Sequence, residues 1–206
     1  MDLGSKGWAV FGLRGSGKSW FVKSVLESTP DHLIYDPLKE HDGYNKYTPS
    51  DRTSIEELSK VIEGPVIKGV KVTEDNKHMF PTRRVGETWK PELFVIDECN
   101  RYVYPKPTRL PKPVADLVDY GRHWSLSFGA VARRPVQFHT DLIELADVVF
   151  FFHLPGKNDH QYLESLHTGL GDKVRDLPPY HFVNFSHGSE ITVHAPIKPP
   201  LHPNET

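Results

Sequence analysis

Residues Gly12-Leu13-Arg14-Gly15-Ser16-Gly17-Lys18-Ser19 match the pattern G-x-x-x-x-G-K-[ST] in full. Glycines at these positions let the backbone curl so that successive N–H groups point at phosphate oxygens, and a helix starting at the end of the run adds partial positive charge. Gly12, Arg14, Gly15, Ser16, Gly17, Lys18 and Ser19 are therefore the candidate nucleotide-binding residues, with Lys18 reaching the β- and γ-phosphates and Ser19 ligating Mg²⁺. A chance match in a chain this long is on the order of 1%, which sets aside the plainer reading of a glycine-rich turn. The second acidic element lies further along, where the apolar run Leu93 to Ile96 ends in Asp97 and Glu98. Asp97 is placed to hold Mg²⁺, and Glu98 to orient and deprotonate an attacking water. Water is then the phosphoryl acceptor, and nucleoside triphosphate hydrolysis, with ATP as substrate, is the expected reaction.

Those residues need a scaffold that brings their loops together. Gly7 to Phe11 reads as a short apolar strand and residues 18 to 28 have helical spacing, so the glycine loop joins a strand to a helix, the context its chemistry requires. His32 to Tyr35, Leu93 to Ile96, Leu126 to Ala132 and Val148 to Phe152 read as further strands, and Ser54 to Ile62 and Val114 to Tyr120 as helices. Strands alternating with helices predict an α/β fold, a mostly parallel sheet with helices on both faces, whose ligands bind beyond the carboxyl ends of the strands. His181 to Phe185 and Ile191 to His194 predict a closing C-terminal hairpin. The stretch from Val66 to Lys90 shows no clear period.

The chain has 206 residues, enough for one domain, expected over 1–195, with 196–206 as a Pro-rich, extended tail. A formal net charge of -2 gives no global attraction to nucleic acid, so any such contact needs a local basic patch. The segment Arg101 to Pro113 offers one: Arg101, Lys106, Arg109 and Lys112, interleaved with Tyr102, Tyr104 and prolines and containing no acid. An ordinary Pro-rich surface connection is the competing reading. The only cysteine, Cys99, excludes an internal disulfide and reads as a small core residue. His153, His160, His167 and His181 lack the Cys or close His pair that would complete a zinc set. No apolar run approaches the roughly 20 residues of a membrane helix, and the start lacks the regions of a secretory signal.

The order Gly121-Arg122-His123-Trp124, strand Leu126 to Ala132, Arg133-Arg134-Pro135 and Ala146-Asp147 leading into Val148 to His153 resembles the FtsK–HerA superfamily of P-loop ATPases. Within it, the similarity is to the small genome-packaging ATPases of membrane-containing icosahedral viruses, from the glycine loop to about Phe185. The resemblance implies a RecA-like P-loop core and a homo-oligomeric ring, hexameric or pentameric, that drives double-stranded DNA through its channel. It also implies a viral portal vertex or membrane proteins as partners, and a place in the host cytoplasm or at the packaging vertex of the virion. It puts a polar sensor, normally Gln, where this chain has Arg133, and an arginine finger acting on a neighbour at Arg122, with Arg83, Arg84 and Arg101 as rivals. Asp36, after the second strand, sits where relatives also carry an acid, and a turn-forming Asp before Pro37 is an equal reading.

Other readings stay open. A nucleoside or nucleotide kinase has a similar loop and an arginine-bearing lid where Arg133 and Arg134 fall; related ATPases serve phage export or conjugation. The guanine-reading Asn-Lys-x-Asp run of signalling GTPases is absent.

Overall fold

The computed structural model describes Leu3, residues 6–186, Gly188 and residues 190–197. Its strands are β1 (Trp8–Phe11), β2 (His32–Tyr35), β3 (Lys46–Tyr47), β4 (Val70–Lys71), β5 (Thr88–Trp89), β6 (Leu93–Ile96), β7 (Ser127–Ala132), β8 (Val148–Phe152), β9 (Phe182–Phe185) and β10 (Thr192–His194). Eight of them form one sheet in the order β10-β9-β8-β1-β7-β6-β2-β3, and β4 pairs with β5 apart from it. From β8 across to β3 every neighbouring pair is parallel. The predicted hairpin forms, and β9 and β10 extend the sheet antiparallel beyond β8. The α-helices are α1 (Lys18–Ser28), α2 (Ile55–Val61), α3 (Lys112–Tyr120), α4 (Thr140–Glu144), α5 (Lys157–Leu166) and α6 (Leu170–Arg175).

The side-chain alternation of a strand sends Trp8 and Val10 to one face of the sheet and Ala9 and Phe11 to the other. Phe21, Val22, Val25 and Leu26 of α1 cover the first face, against Trp8, Val10, Phe150 and Phe152. Val114 and Leu117 of α3, Leu142 and Ile143 of α4, and Leu163, Leu170 and Val174 of α5 and α6 belong to the core on the other face, with Phe11, Ile96 and Phe151. Covering both faces is why β1, β6 and β8 are apolar throughout instead of alternating. The anchor of α1 is Phe21, whose ring lies 4.5 Å from that of Phe150. Burial of a side chain this size is worth about 1.5–3 kcal/mol.

The helix over 18–28 and the strands over 32–35, 93–96 and 148–152 have the limits read from sequence. Elsewhere local chemistry shifts them. The strand expected from Leu126 starts at Ser127, because Ser125 is left-handed (φ 52) and the Leu126 N–H turns back to the Gly121 carbonyl. The helix expected from Val114 starts at Lys112, since Pro113 in its first turn lacks only an N–H that has no helical partner there. Ser54 caps α2 by accepting the Glu57 N–H at 3.1 Å, and the expected end at Ile62 becomes a wider turn over Ile62–Val66 that contains Gly64 and Pro65. The unreadable stretch after Val66 is a two-stranded ladder clamped by Phe80 on Trp89, their rings 5.3 Å apart. Of the predicted tail, 198–206 lies outside the described residues, while Ile197 packs against the α1-side core. Among the described residues no helix is long and apolar enough to cross a membrane.

Candidate active site

Because β1, β2, β6 and β7 run parallel, the loops that leave them gather at one edge. The glycine loop follows β1, Asp36 follows β2, Asp97 and Glu98 follow β6, and Arg133 follows β7. Gly17 caps α1 with φ 102, a backbone state that other residues rarely adopt. At Gly12 an added Cβ would lie 2.9 Å from the Phe152 Cβ, so β8 fixes how tightly the loop folds. No side chain caps α1 and no acid occupies its first turn, which leaves its first N–H groups and its dipole facing the loop. Gly15, Gly17, Lys18, Ser19, Glu98 and Arg133 are among the residues lining a cleft of about 460 Å³, as is Arg14.

Asp97 is 5% exposed, and both of its carboxylate oxygens are engaged. Oδ1 accepts the Glu98 N–H at 2.8 Å and Oδ2 lies 3.1 Å from Nε2 of His41. Burial alone would push this carboxyl up; the His41 hydrogen bond and charge, the Lys18 charge and the Glu98 N–H hydrogen bond outweigh it and hold Asp97 below the usual range. His41 is itself buried, and its backbone N–H donates to Asp36 Oδ2 at 3.0 Å. Asp36 is fully buried, accepts the Glu40 N–H as well, and lies 3.6 Å from Lys46 Nζ. Ligand atoms of Asp36, His41 and Asp97 all fall within 4.8 Å of one another. Mg²⁺ prefers hard oxygen donors to an imidazole, and the oxygen donors on offer are the Asp97 carboxylate and the hydroxyl of Ser19 in the cleft lining. His41, donating through Nε2–H, is the residue that aims Asp97.

Glu98 is also held, by charge. Its backbone is left-handed, φ 47, and Arg133 Nε lies 3.1 Å from both carboxylate oxygens. Arg101 Nε is 3.8 Å from Oε2. Arg133, at the position where the resemblance puts a Gln, thus grips the general-base candidate. Arg134 instead binds Asp159, a carboxylate 1% exposed, at 2.8 Å.

The remaining sequence candidates scatter. Arg122 lies at the opposite edge of the sheet, ahead of β7, where its exposed side chain pairs with Asp147, which in turn accepts the Gly7 N–H at 2.7 Å. It cannot reach the nucleotide cleft of its own chain. Arg83 is consumed locally, bonded to the Pro30 carbonyl and Asp31 and stacked on Trp89. Of the basic segment, Arg101 turns to Glu98, Lys106 pairs with Asp141 at 2.5 Å, and Lys112 pairs with Asp116 one helical turn on. Arg109 is exposed. The segment has no acid of its own, but α3 and α4 supply them. Such exposed pairs are worth about 0–1 kcal/mol and exchange readily for phosphate. Cys99 is fully buried, and burial pushes its thiol up, away from nucleophilic use.

No family model matches the sequence, and no curated protein matches it significantly. Solved structures do. The genome-packaging NTPase B204 of Sulfolobus turreted icosahedral virus 2, in complex with AMPPCP, superposes with a TM-score of 0.69 at 17% identity, over 96% of this chain and 100% of that one. B204, the DNA-packaging ATPase of Sulfolobus turreted icosahedral virus, gives 0.72 at 16% identity over 94% and 98%. The fold is that of the P-loop NTPases. The pCW3 conjugation coupling protein TcpA, with ATPγS, superposes with a TM-score of 0.63 at 15% identity, over 94% of this chain and 60% of TcpA. Identities this low carry the fold and leave the chemistry to the site.

His41, Trp20 and Tyr180 are the site residues that sequence reasoning passed over. His41 is one of 12 histidines, with no spacing that marks it. Tyr180 comes from the turn before β9, far along the chain, and only the fold brings it to the glycine loop.

Proposed function

We propose that the chain is an ATP-hydrolysing motor subunit that moves double-stranded DNA through a homo-oligomeric ring, used to package a viral genome into a preformed capsid. The observation that carries the reading is the convergence of Lys18, Glu98 and Arg133 on one cleft whose floor is the glycine loop, with Asp97 aimed from beside it. Lys18 and the α1 N-terminus neutralise the β- and γ-phosphates. Ser19 and Asp97 would hold Mg²⁺, which would supply further neutralisation of phosphate charge. Glu98 orients a water in line and takes its proton once Arg133 lets go. A γ-phosphate competes with Glu98 for that guanidinium, so arrival of the substrate itself frees the base. Arg122, remote from its own cleft, is suited to a neighbour's nucleotide, and the 101–113 segment to phosphates of DNA in the channel. Overlap with a genome-packaging NTPase across 96% of this chain supports the viral use; a subunit with that use would work in the host cytoplasm or at the packaging vertex.

The lock between Arg134 and Asp159 removes one of the two arginines a kinase lid would need, which favours water over a small phosphoryl acceptor. Steady-state phosphate release with and without long double-stranded DNA, alongside the mass in solution, tests the proposal. A ring whose hydrolysis rises with DNA is expected. Phosphoryl transfer to an added nucleoside by a monomer would overturn it.

A further inference from the structure

The phosphate cleft opens on a second chamber. Gly17, Trp20, Phe152, Tyr180, Pro196 and Ile197 line a cavity of about 290 Å³, and Gly17, Trp20 and Tyr180 also border the cleft. Its character is different: apart from the Trp20 indole and the Tyr180 hydroxyl, the lining side chains are apolar. Trp20 is 38% and Tyr180 56% exposed, while most other large aromatics of the chain are buried. One face of the Trp20 ring is taken by Lys23, whose Nζ lies 5.4 Å from the ring centroid, which leaves the other for a ligand.

Tyr180 adds an independent sign. It holds φ 64, a left-handed backbone that an aromatic residue adopts only when its surroundings enforce it. Its ring carbon Cδ1 stands 3.4 Å from where a Cβ on Gly17 would be, so the strained residue leans over the phosphate loop. An aromatic that is strained, exposed and fixed above an anion-binding loop contributes little to the core. It is a platform.

We propose that this chamber receives the base of the nucleoside triphosphate whose phosphates the glycine loop holds, stacked on Trp20 and Tyr180, with Pro196 and Ile197 as its outer wall. The inference rests on the nucleotide-binding reading above and assigns its base subsite. Stacking uses ring area and does not read hydrogen-bonding edges. The chamber therefore prefers purines to pyrimidines and separates ATP from GTP weakly. The tail at 196–197 becomes part of the substrate site.

Equilibrium binding of ATP, GTP, CTP and inorganic tripolyphosphate, each with Mg²⁺, tests this on the wild type and on Trp20→Ala, Trp20→Phe, Tyr180→Ala and Ile197→Ala. Trp20→Ala and Tyr180→Ala are expected to weaken ATP and GTP about 10-fold or more, Ile197→Ala less, and Trp20→Phe to restore most of the loss. Tripolyphosphate, which has no base, should bind every variant as it binds the wild type, and so reports an intact phosphate loop. ATP affinity unchanged in both alanine variants would overturn the base subsite while leaving the phosphate site standing. So would equal losses for ATP and tripolyphosphate, since the aromatics would then only shape the loop. Failure of the wild type to bind either compound would remove the nucleotide reading and this subsite together.

Discussion

The two edges of the parallel sheet hold their charged residues in different ways. At the carboxyl edge, Asp97 and Asp36 are buried, and each is tied by neighbours that are themselves fixed. At the amino edge, Arg122 projects from the rim of a cavity of about 300 Å³ walled by Trp8, Leu117, Leu126 and Phe128, and a single partly exposed carboxylate, Asp147, restrains it. Preorganised groups cost nothing to arrange at the moment of reaction, so the carboxyl edge suits chemistry within the chain. A long, weakly held arginine suits contact with something that arrives, and in the proposed ring that visitor is a second copy of the chain.

The sharpest way to break this contrast is Lys18→Ala. Removing the phosphate-neutralising charge should lower hydrolysis by about 10²-fold or more, with the fold intact by circular dichroism; normal turnover would take the glycine loop out of the mechanism. His41→Ala probes the preorganisation itself. It leaves Asp97 buried without its imidazole partner, and a loss of about 1–3 kcal/mol in denaturant stability is expected. Weaker Mn²⁺ binding, read by paramagnetic resonance with nucleotide present, should accompany it, and His41→Asn should recover part of both. A variant with unchanged metal affinity would make His41 a structural residue only. Arg122→Ala should have the smallest effect on the isolated chain, within about 1 kcal/mol in stability and with nucleotide affinity unaltered. Mixed with Lys18→Ala subunits it should regain hydrolysis, because some interfaces then join two intact halves. No recovery at any ratio would remove Arg122 as a residue acting between subunits.

Sequence reasoning reached the carboxyl edge far better than the amino edge, for physical reasons. The glycine loop and the Leu93 to Glu98 run are contiguous, and a loop cradling phosphate is specified by neighbours along the chain. The elements flanking them are short apolar strands and one strongly patterned helix, so the fold class and the strand that presents Asp97 were legible. His41 was not, because its role exists only once β2 and β6 lie side by side. The partners of the basic segment were hidden in a similar way: Lys106 looks free along the chain, and its partner Asp141 is brought to it by α4. Lys112 and Asp116 pair one helical turn apart, which the sequence hid because the helix was expected to start only at Val114. Arg133 stands in sequence as a departure from an expected Gln, and its partner Glu98 is one the pattern does not contain.

The most direct test of the central claim, that Glu98 is the base of a hydrolytic nucleotide site, is the identity of the nucleotide left on Glu98→Gln after incubation with ATP and Mg²⁺. The account predicts intact ATP bound at one per chain, with turnover lowered by about 10²–10⁴-fold, while the wild type returns ADP. ADP recovered from the variant at the wild-type rate would contradict it.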